Sequence, residues 1–256
     1  MYGKIGRYAV SSILALTLFG SASPGAQGQA RIPDEFTNLQ VLSEDIEQRE
    51  LMGIMRGFTS AIGVGRCSFC HTVSDGLDQP DDDFTSDDKA TKVKARAMLE
   101  MVQAINSDHI SQLPNRREPN VEVSCVTCHA GKRRPTTLVQ ELTWALDDGG
   151  AEALKVRYAE LREEYYGLGA FNFGPGALDD LAQGIGRTNP DAAMEALELN
   201  LEHHPESVQT WLLKGQLLSL NGEPEAAIEA FERSLELAPG NPFATQQLER
   251  LRGGGG

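Results

Sequence analysis

Two pentapeptides of one pattern, Cys67-Ser-Phe-Cys-His71 and Cys125-Val-Thr-Cys-His129, decide how the rest of this sequence is interpreted. They contain all four cysteines of the 256-residue chain, so none remains for a disulfide between other segments or for a lipid anchor. In C-x-x-C-H, each thiol can form a thioether with a haem vinyl group, and the adjacent imidazole can bind the iron. We therefore predict two covalently bound haem c groups. Their thioether residues are Cys67, Cys70, Cys125 and Cys128, and their histidine ligands are His71 and His129.

Three other uses of the C-x-x-C pairs stay open at this point. Four thiols from two such pairs could form one zinc site, although zinc does not require the histidine after each pair. A thioredoxin-like dithiol would need a βαβ pattern, which the surrounding sequence lacks. Two local disulfides would suit an exported protein. Haem is favoured because both copies carry the histidine and together use every cysteine.

Residues 1–30 have the pattern of a secretory signal peptide. Lys4 and Arg7 form its positive region, Ala9 to Phe19 form a short apolar core, and small residues follow. We expect export to the periplasm, because this type of haem attachment occurs outside the cytoplasmic membrane. The alternative is an uncleaved N-terminal membrane anchor, although the apolar core is short for a span.

The composition limits the partners. Lys and Arg number 23 against 37 Asp and Glu, and the net charge of −14 argues against nucleic acid as the main partner. The aspartates between residues 75 and 88 are expected to form a solvated loop; a docking face for a basic redox partner is the alternative. Five basic residues near the motifs are candidate partners of haem propionates, or else ordinary surface charges: Arg66, Arg96, Lys132, Arg133 and Arg134.

A helix with methionines precedes each motif. The first is predicted from about Glu47 to Ile62, and Gly63 ends it. The second begins near residues 85–88 with Ser86 as its N-cap and runs to about Asn106. The candidate ligands for the sixth position of each iron are Met52, Met55, Met98, Met101 and His109, and spacing alone does not choose among them. Methionine opposite histidine raises the reduction potential, which suits electron transfer.

The fold class is predicted as mostly α, a dihaem c-type cytochrome domain followed by helical tetratricopeptide-like hairpins. Residues 31–140 form the cytochrome domain, 141–173 a helical connector with a break at Gly149-Gly150, and 174–252 the repeats. Residues 208–241 match the tetratricopeptide pattern, with a degenerate repeat before them and a capping helix, Phe243 to Leu251, after them. Trp211 and Phe231 are expected in the core, and the repeats to dock another envelope protein.

Three stretches resemble the cytochrome c subunit family of photosynthetic reaction centres: Leu51 to His71, Ala95 to Asn106, and Val123 to Gly131 with Pro135 following. Most C-x-x-C-H histidines in that family are paired with a methionine on the preceding helix. The resemblance implies that Met55 and Met98 are iron ligands and that Met52 and Met101 are packing residues. The best-known members carry four haems, so this chain corresponds to half of that arrangement.

The resemblance implies photosynthetic electron transport, and the expected function is relay of single electrons in the periplasm rather than enzymatic catalysis. Redox proteins of the cell envelope are the expected partners, a photosynthetic reaction centre among them. One alternative is a dihaem enzyme such as a peroxidase, which needs an iron with an open sixth position and an acid–base group nearby. A second alternative is a haem-bearing scaffold in which the repeats carry the main function.

Overall fold

The computed structural model describes residues 33, 35–74, 82–115, 117 and 119–253, and this part of the chain is mostly helical. The only β contact within these residues is an isolated antiparallel bridge between Thr72 and Asp83. The mostly α fold class is confirmed. The predicted signal peptide lies outside the described residues. Among the residues that are described, no helix has both the length and the apolar character to cross a bilayer.

The cytochrome part contains three helices. Helix α1 spans Gln48–Ala61, α2 spans Ala90–Ala104, and α3 spans Cys125–His129, which is the second C-x-x-C-H motif itself. The bounds of α1 agree with the prediction, and Gly63 follows it in the left-handed region at φ +68°. The first motif forms a single 3₁₀ turn, Cys67–Phe69.

Helix α2 begins later than predicted, and Ser86 is not its N-cap. Lys89 occupies the N-cap position without a side-chain hydrogen bond. The Ser86 hydroxyl instead accepts from the backbone N–H of Asp88 at 3.1 Å, and the Asp83 carboxylate accepts from the N–H of Thr85 at 2.7 Å. These local bonds hold the segment in turns, so helical geometry starts only at Ala90. The helix continues as a π turn, Ile105–His109, in which His109 is exposed as expected.

The C-terminal part begins with the long helix α4, Leu138–Tyr165, which breaks at Gly149 and Gly150 as predicted. Helices α5 (Gly176–Ile185) and α6 (Pro190–His203) form the degenerate hairpin, and α7 (Val208–Leu220), α8 (Pro224–Leu237) and α9 (Pro242–Gly253) form the second hairpin and its cap. Apolar side chains of α4 share one buried cluster with α5, α6 and α7. The connector therefore packs as part of the repeat module, while the domain boundaries stay predictions.

The second hairpin has the packing of a tetratricopeptide repeat. Phe231 is fully buried, and a Cβ added at Gly215 would lie 2.8 Å from its ring, so glycine lets the two helices approach closely. Trp211 corrects the sequence-based expectation in part. It packs against the edge of this core, but it is partly exposed and lines a groove on the repeat surface, with its ring N–H donating to Pro205 O at 2.9 Å.

A buried polar triad joins the two hairpins. The Asp179 carboxylate accepts from Thr210 Oγ1 at 2.8 Å and from Asn200 Nδ2 at 2.9 Å, and all three residues are almost completely buried. Burial raises the pKa of Asp179, and the two donors oppose that rise. Because helices α5, α6 and α7 each contribute one member, the triad fixes the relative position of the hairpins.

Candidate haem sites

The first candidate site has two free thiols and an oriented imidazole. The Cys67 thiol is exposed, and the Cys70 thiol is partly buried. His71 Nδ1 lies 3.1 Å from the backbone oxygen of Phe84. A carbonyl oxygen can only accept, so Nδ1 carries the proton and Nε2 keeps its lone pair for a metal. Burial lowers the pKa of His71, assisted by Lys92 and Arg96, and so favours the neutral form that binds iron.

The second candidate site repeats this chemistry in a different local structure. The backbone N–H of Ser124 donates to Thr127 Oγ1 at 3.0 Å at the start of α3. After His129 the chain turns back through Ala130 and Gly131, both at positive φ. This turn places the backbone oxygen of Lys132 at 2.8 Å from His129 Nδ1. His129 therefore also keeps Nε2 available.

The donor set fits haem c better than the alternatives. All four thiols are free, which is the state needed for thioethers and not that of two local disulfides. Within the described residues, which include every cysteine, no three His, Cys, Asp or Glu side chains converge as a metal site. The two C-x-x-C pairs therefore do not form one zinc site. At each motif a thiol pair accompanies an imidazole whose Nδ1–H is already bonded, as haem attachment requires.

The two motifs lie beside each other because α1 ends against the second one. The N–H of Gly131 donates to the backbone oxygen of Ala61 at 2.9 Å. Gly63 approaches Gly131 so closely that an added Cβ would overlap the Gly131 carbonyl oxygen. The Arg133 guanidinium lies 5.4 Å from the ring centroid of Phe69, inside the first motif. Sequence reasoning missed this contact, although paired glycines after a helix and after a motif are a usable signal.

Helix α2 connects the same two motifs. At its start, Thr91 Oγ1 donates to the backbone oxygen of Phe69 at 2.6 Å. Beyond its end, the Asn106 side chain donates to Val123 O and accepts from Val123 N–H, both at 2.8 Å. Over this length a helix rises about 24 Å. The helix is thus fixed at the first motif by one end and at the second by the other.

The candidate methionines lie on helices that touch the motifs. Met52 and Met55 are partly buried on α1, while Met98 and Met101 on α2 are each 46% exposed. Both α1 and α2 contact α3. Equal exposure does not distinguish Met98 from Met101, so the assignment of Met55 and Met98 as ligands stays a prediction.

The basic residues near the motifs have other partners than propionates at several positions. Lys132 is the clearest correction, because it is buried and its ammonium donates to the backbone oxygens of Thr136 at 2.8 Å and Ala170 at 2.6 Å. Arg96 pairs with Asp87 at 2.8 Å and holds the pKa of that carboxyl well below its usual range. The guanidinium of Arg134 lies over the Trp144 ring, at 4.6 Å from its centroid.

The comparisons with known proteins agree with this geometry. The model of the photosynthetic reaction centre cytochrome C subunit family matches residues 13–160, more than half of the chain. A tetratricopeptide repeat model matches residues 208–241, the segment predicted from the sequence. The N-terminal part is therefore that of a c-type cytochrome, a class that binds haem c covalently. The chain belongs to the photosynthetic reaction centre cytochrome c subunit family, whose members are electron-transfer subunits.

Individual relatives match only part of their own length. Cytochrome c-554 of Chloroflexus aurantiacus is 34% identical over 36% of this chain and 20% of its own. The photosynthetic reaction center cytochrome c subunits of Thermochromatium tepidum and Roseobacter denitrificans are each 30% identical, over 44% and 45% of this chain and 24% and 29% of theirs. The chain thus spans under a third of these relatives.

The structure is also similar to that of the first tetratricopeptide domain of Spaghetti bound to an HSP90 peptide. The likeness covers 46% of this chain and 89% of that one, at 19% identity and a TM-score of 0.33. A likeness of this degree does not bear on what the repeats of this chain bind.

Replacing Gly63 by alanine should separate the two motifs. We expect Gly63→Ala to destabilise the haem-loaded protein by about 2 kcal/mol or more, since alanine pays for the left-handed conformation and also overlaps Gly131 O. Urea unfolding followed by circular dichroism measures the change. Gly65→Ala is the matched control: nothing lies within 4 Å of its added Cβ, so a change below about 0.5 kcal/mol is expected. Equal stabilities of the two variants would contradict the close approach.

Proposed function

We propose that this protein is an exported dihaem c-type cytochrome that relays single electrons in the periplasm. One haem would be attached to Cys67 and Cys70 and the other to Cys125 and Cys128. The observation that carries the proposal is the repeated geometry of free thiol pairs, each beside a histidine whose Nδ1 is hydrogen-bonded to a backbone oxygen. When bound, haem supplies an iron that alternates between ferric and ferrous states.

We also propose Met55 and Met98 as the ligands opposite the histidines. Their support is the family resemblance and their location on α1 and α2, which both contact α3. A thioether opposite imidazole favours the ferrous state and fills the sixth position. This filled position argues for relay over a peroxidase, which needs one iron open to its substrate and an acid–base group beside it.

The residues between the sites hold them in fixed relation, which supports relay between them. The Gly131–Ala61 hydrogen bond and the contact of Arg133 with Phe69 join one motif to the other without a flexible linker. A fixed separation matters because an electron passes between centres without any atom crossing the gap. Large reorganisation of the protein would slow that transfer.

The location and the redox partner are proposals of a coarser kind. Residues 1–30 support export, and the names of two relatives support a photosynthetic reaction centre as partner. Because this chain covers under a third of those relatives, their assembly is carried over to it only as a proposal.

A surface groove on the repeats is proposed to receive a basic segment of a partner protein in the cell envelope. The groove has a volume of about 640 Å³, and the partly exposed Trp211 lines it. Its charged lining residues are four acids and two bases: Asp191, Glu198, Glu223, Glu229, Lys214 and Arg233. Lys214 pairs with Glu198 at 2.9 Å and Arg233 with Glu236 at 2.6 Å, so both cations are compensated and the groove is acidic on balance.

The haem content tests the central proposal. The mature protein, produced with its own export signal, should stain for covalent haem under denaturing conditions and have the mass of the polypeptide plus two haems. Its ferric spectrum should be low-spin and show the long-wavelength Met–Fe charge-transfer band. Any other haem number would overturn the proposal, and a stable high-spin population would favour a catalytic haem.

The choice within the second methionine pair is tested by two single variants. Met98→Ala should lower the midpoint potential of one haem or convert it to high spin, because water or no ligand replaces the thioether. Met101→Ala serves as control, since Met101 has the same exposure on the same helix and should leave potentials and spectrum unchanged. The opposite pattern would assign the iron to Met101.

The groove is tested with labelled synthetic peptides, one rich in lysine and leucine and one with glutamate in place of lysine. Fluorescence polarisation should show binding of the basic peptide only, weakened at least threefold by the double substitution Glu223→Gln/Glu229→Gln or by Trp211→Ala. Glu225→Gln, on the same helix as Glu229 but outside the groove, should bind like the parent protein. Binding of the acidic peptide, or no loss in the groove variants, would contradict the proposal.

A further inference from the structure

Each candidate haem-ligating histidine depends on a backbone carbonyl that a lysine side chain holds in place. At the first site, Lys92 Nζ donates to three successive backbone oxygens, those of Phe84 at 2.9 Å, Thr85 at 2.9 Å and Ser86 at 2.8 Å. The lysine side chain is 12% exposed and also pairs with Asp87 at 3.2 Å. It therefore fixes the loop that carries the hydrogen-bond partner of His71.

At the second site, the anchored residue and the hydrogen-bond partner are the same. The backbone oxygen of Lys132 accepts from His129, and the N–H of Lys132 donates back to His129 O at 2.9 Å. The side chain is buried, with its ammonium on the oxygens of Thr136 and Ala170 and 4.2 Å from the Phe171 ring centroid. Lys132 thus ties the His129 imidazole to the loop before the repeats.

The two lysines act on the histidines differently. Phe84 O receives both the His71 N–H, at 3.1 Å, and the Lys92 ammonium, at 2.9 Å. A carbonyl that also binds a cation is a poorer acceptor for the imidazole N–H. Lys132 directs its ammonium to other carbonyls, and its own oxygen accepts from His129 Nδ1 at the shorter distance of 2.8 Å.

We propose that Lys92 and Lys132 are positioning residues for His71 and His129, and that Lys92 raises the reduction potential of the haem bound at His71 relative to the haem at His129. A stronger N–H···O bond gives an imidazole more imidazolate character, which stabilises ferric iron and lowers the potential. The inference rests on the proposed dihaem function, because it requires iron at both histidines. It differs from that function in assigning the inequivalence of the two sites to named lysines.

Lys92→Met in the haem-loaded protein is the main test. Removing the cation frees Phe84 O for His71, so one of the two midpoint potentials should fall while both haems stay low-spin with methionine bound. Lys92→Arg should restore most of the potential, because a guanidinium can still donate to the carbonyls. Lys94→Met is the matched control, as Lys94 is exposed on the same helix and removes the same charge.

Lys132→Met is the second variant, and paramagnetic NMR assigns the effects to individual haems. Its signals should change at the His129 haem alone, whereas Lys92→Met should affect the His71 haem alone. The proposal is overturned if Lys92→Met moves neither potential, moves both equally, or matches Lys94→Met. A protein that lacks two covalent haems fails earlier, in the mass measurement, so the failure of the proposed function is distinguishable from the failure of this inference.

Discussion

The hydrogen bond from Gly131 to Ala61 is the contact on which the arrangement of the cytochrome part depends. It joins the end of α1 to the residue that follows the second C-x-x-C-H motif, across 70 positions of sequence. The bond forms only because Gly63 adopts a left-handed conformation and has no Cβ to overlap the Gly131 oxygen. Through this approach the first motif, which begins four residues after Gly63, comes to lie against the second.

Polar bonds rather than a large apolar core position the helix that connects the motifs. None of the side chains of α2 belongs to the described protein core, and the helix is instead fixed near its ends by Thr91 and Asn106. The C-terminal helices behave differently, with clusters of fully buried leucines, alanines and aromatic rings. The methionine-bearing face of α2 is therefore held in place by its ends, next to the sites where haem would bind.

Lys132 connects the two parts of the molecule. Its main chain orients His129, and its ammonium bonds to Ala170, beyond helix α4. Desolvation by burial lowers the pKa of Lys132, and the carbonyls and the Phe171 ring compensate for taking its charge from water. A movement of the loop before the repeats would thus reach the imidazole of the second site through a single residue.

The sequence by itself determined the local features: the two C-x-x-C-H motifs, the helix before each, the break at Gly149-Gly150 and the tetratricopeptide segment at 208–241. Each of these depends on residues that are close in the chain. Tertiary structure decided what the motifs contact. It excluded Ser86 as a helix cap, placed Lys132 in the interior instead of beside a propionate, and left Trp211 at a groove edge. These outcomes could not be predicted, because they depend on groups distant in sequence, such as Ala170 for Lys132 and Ala61 for Gly131, which only the folded chain brings within hydrogen-bonding distance.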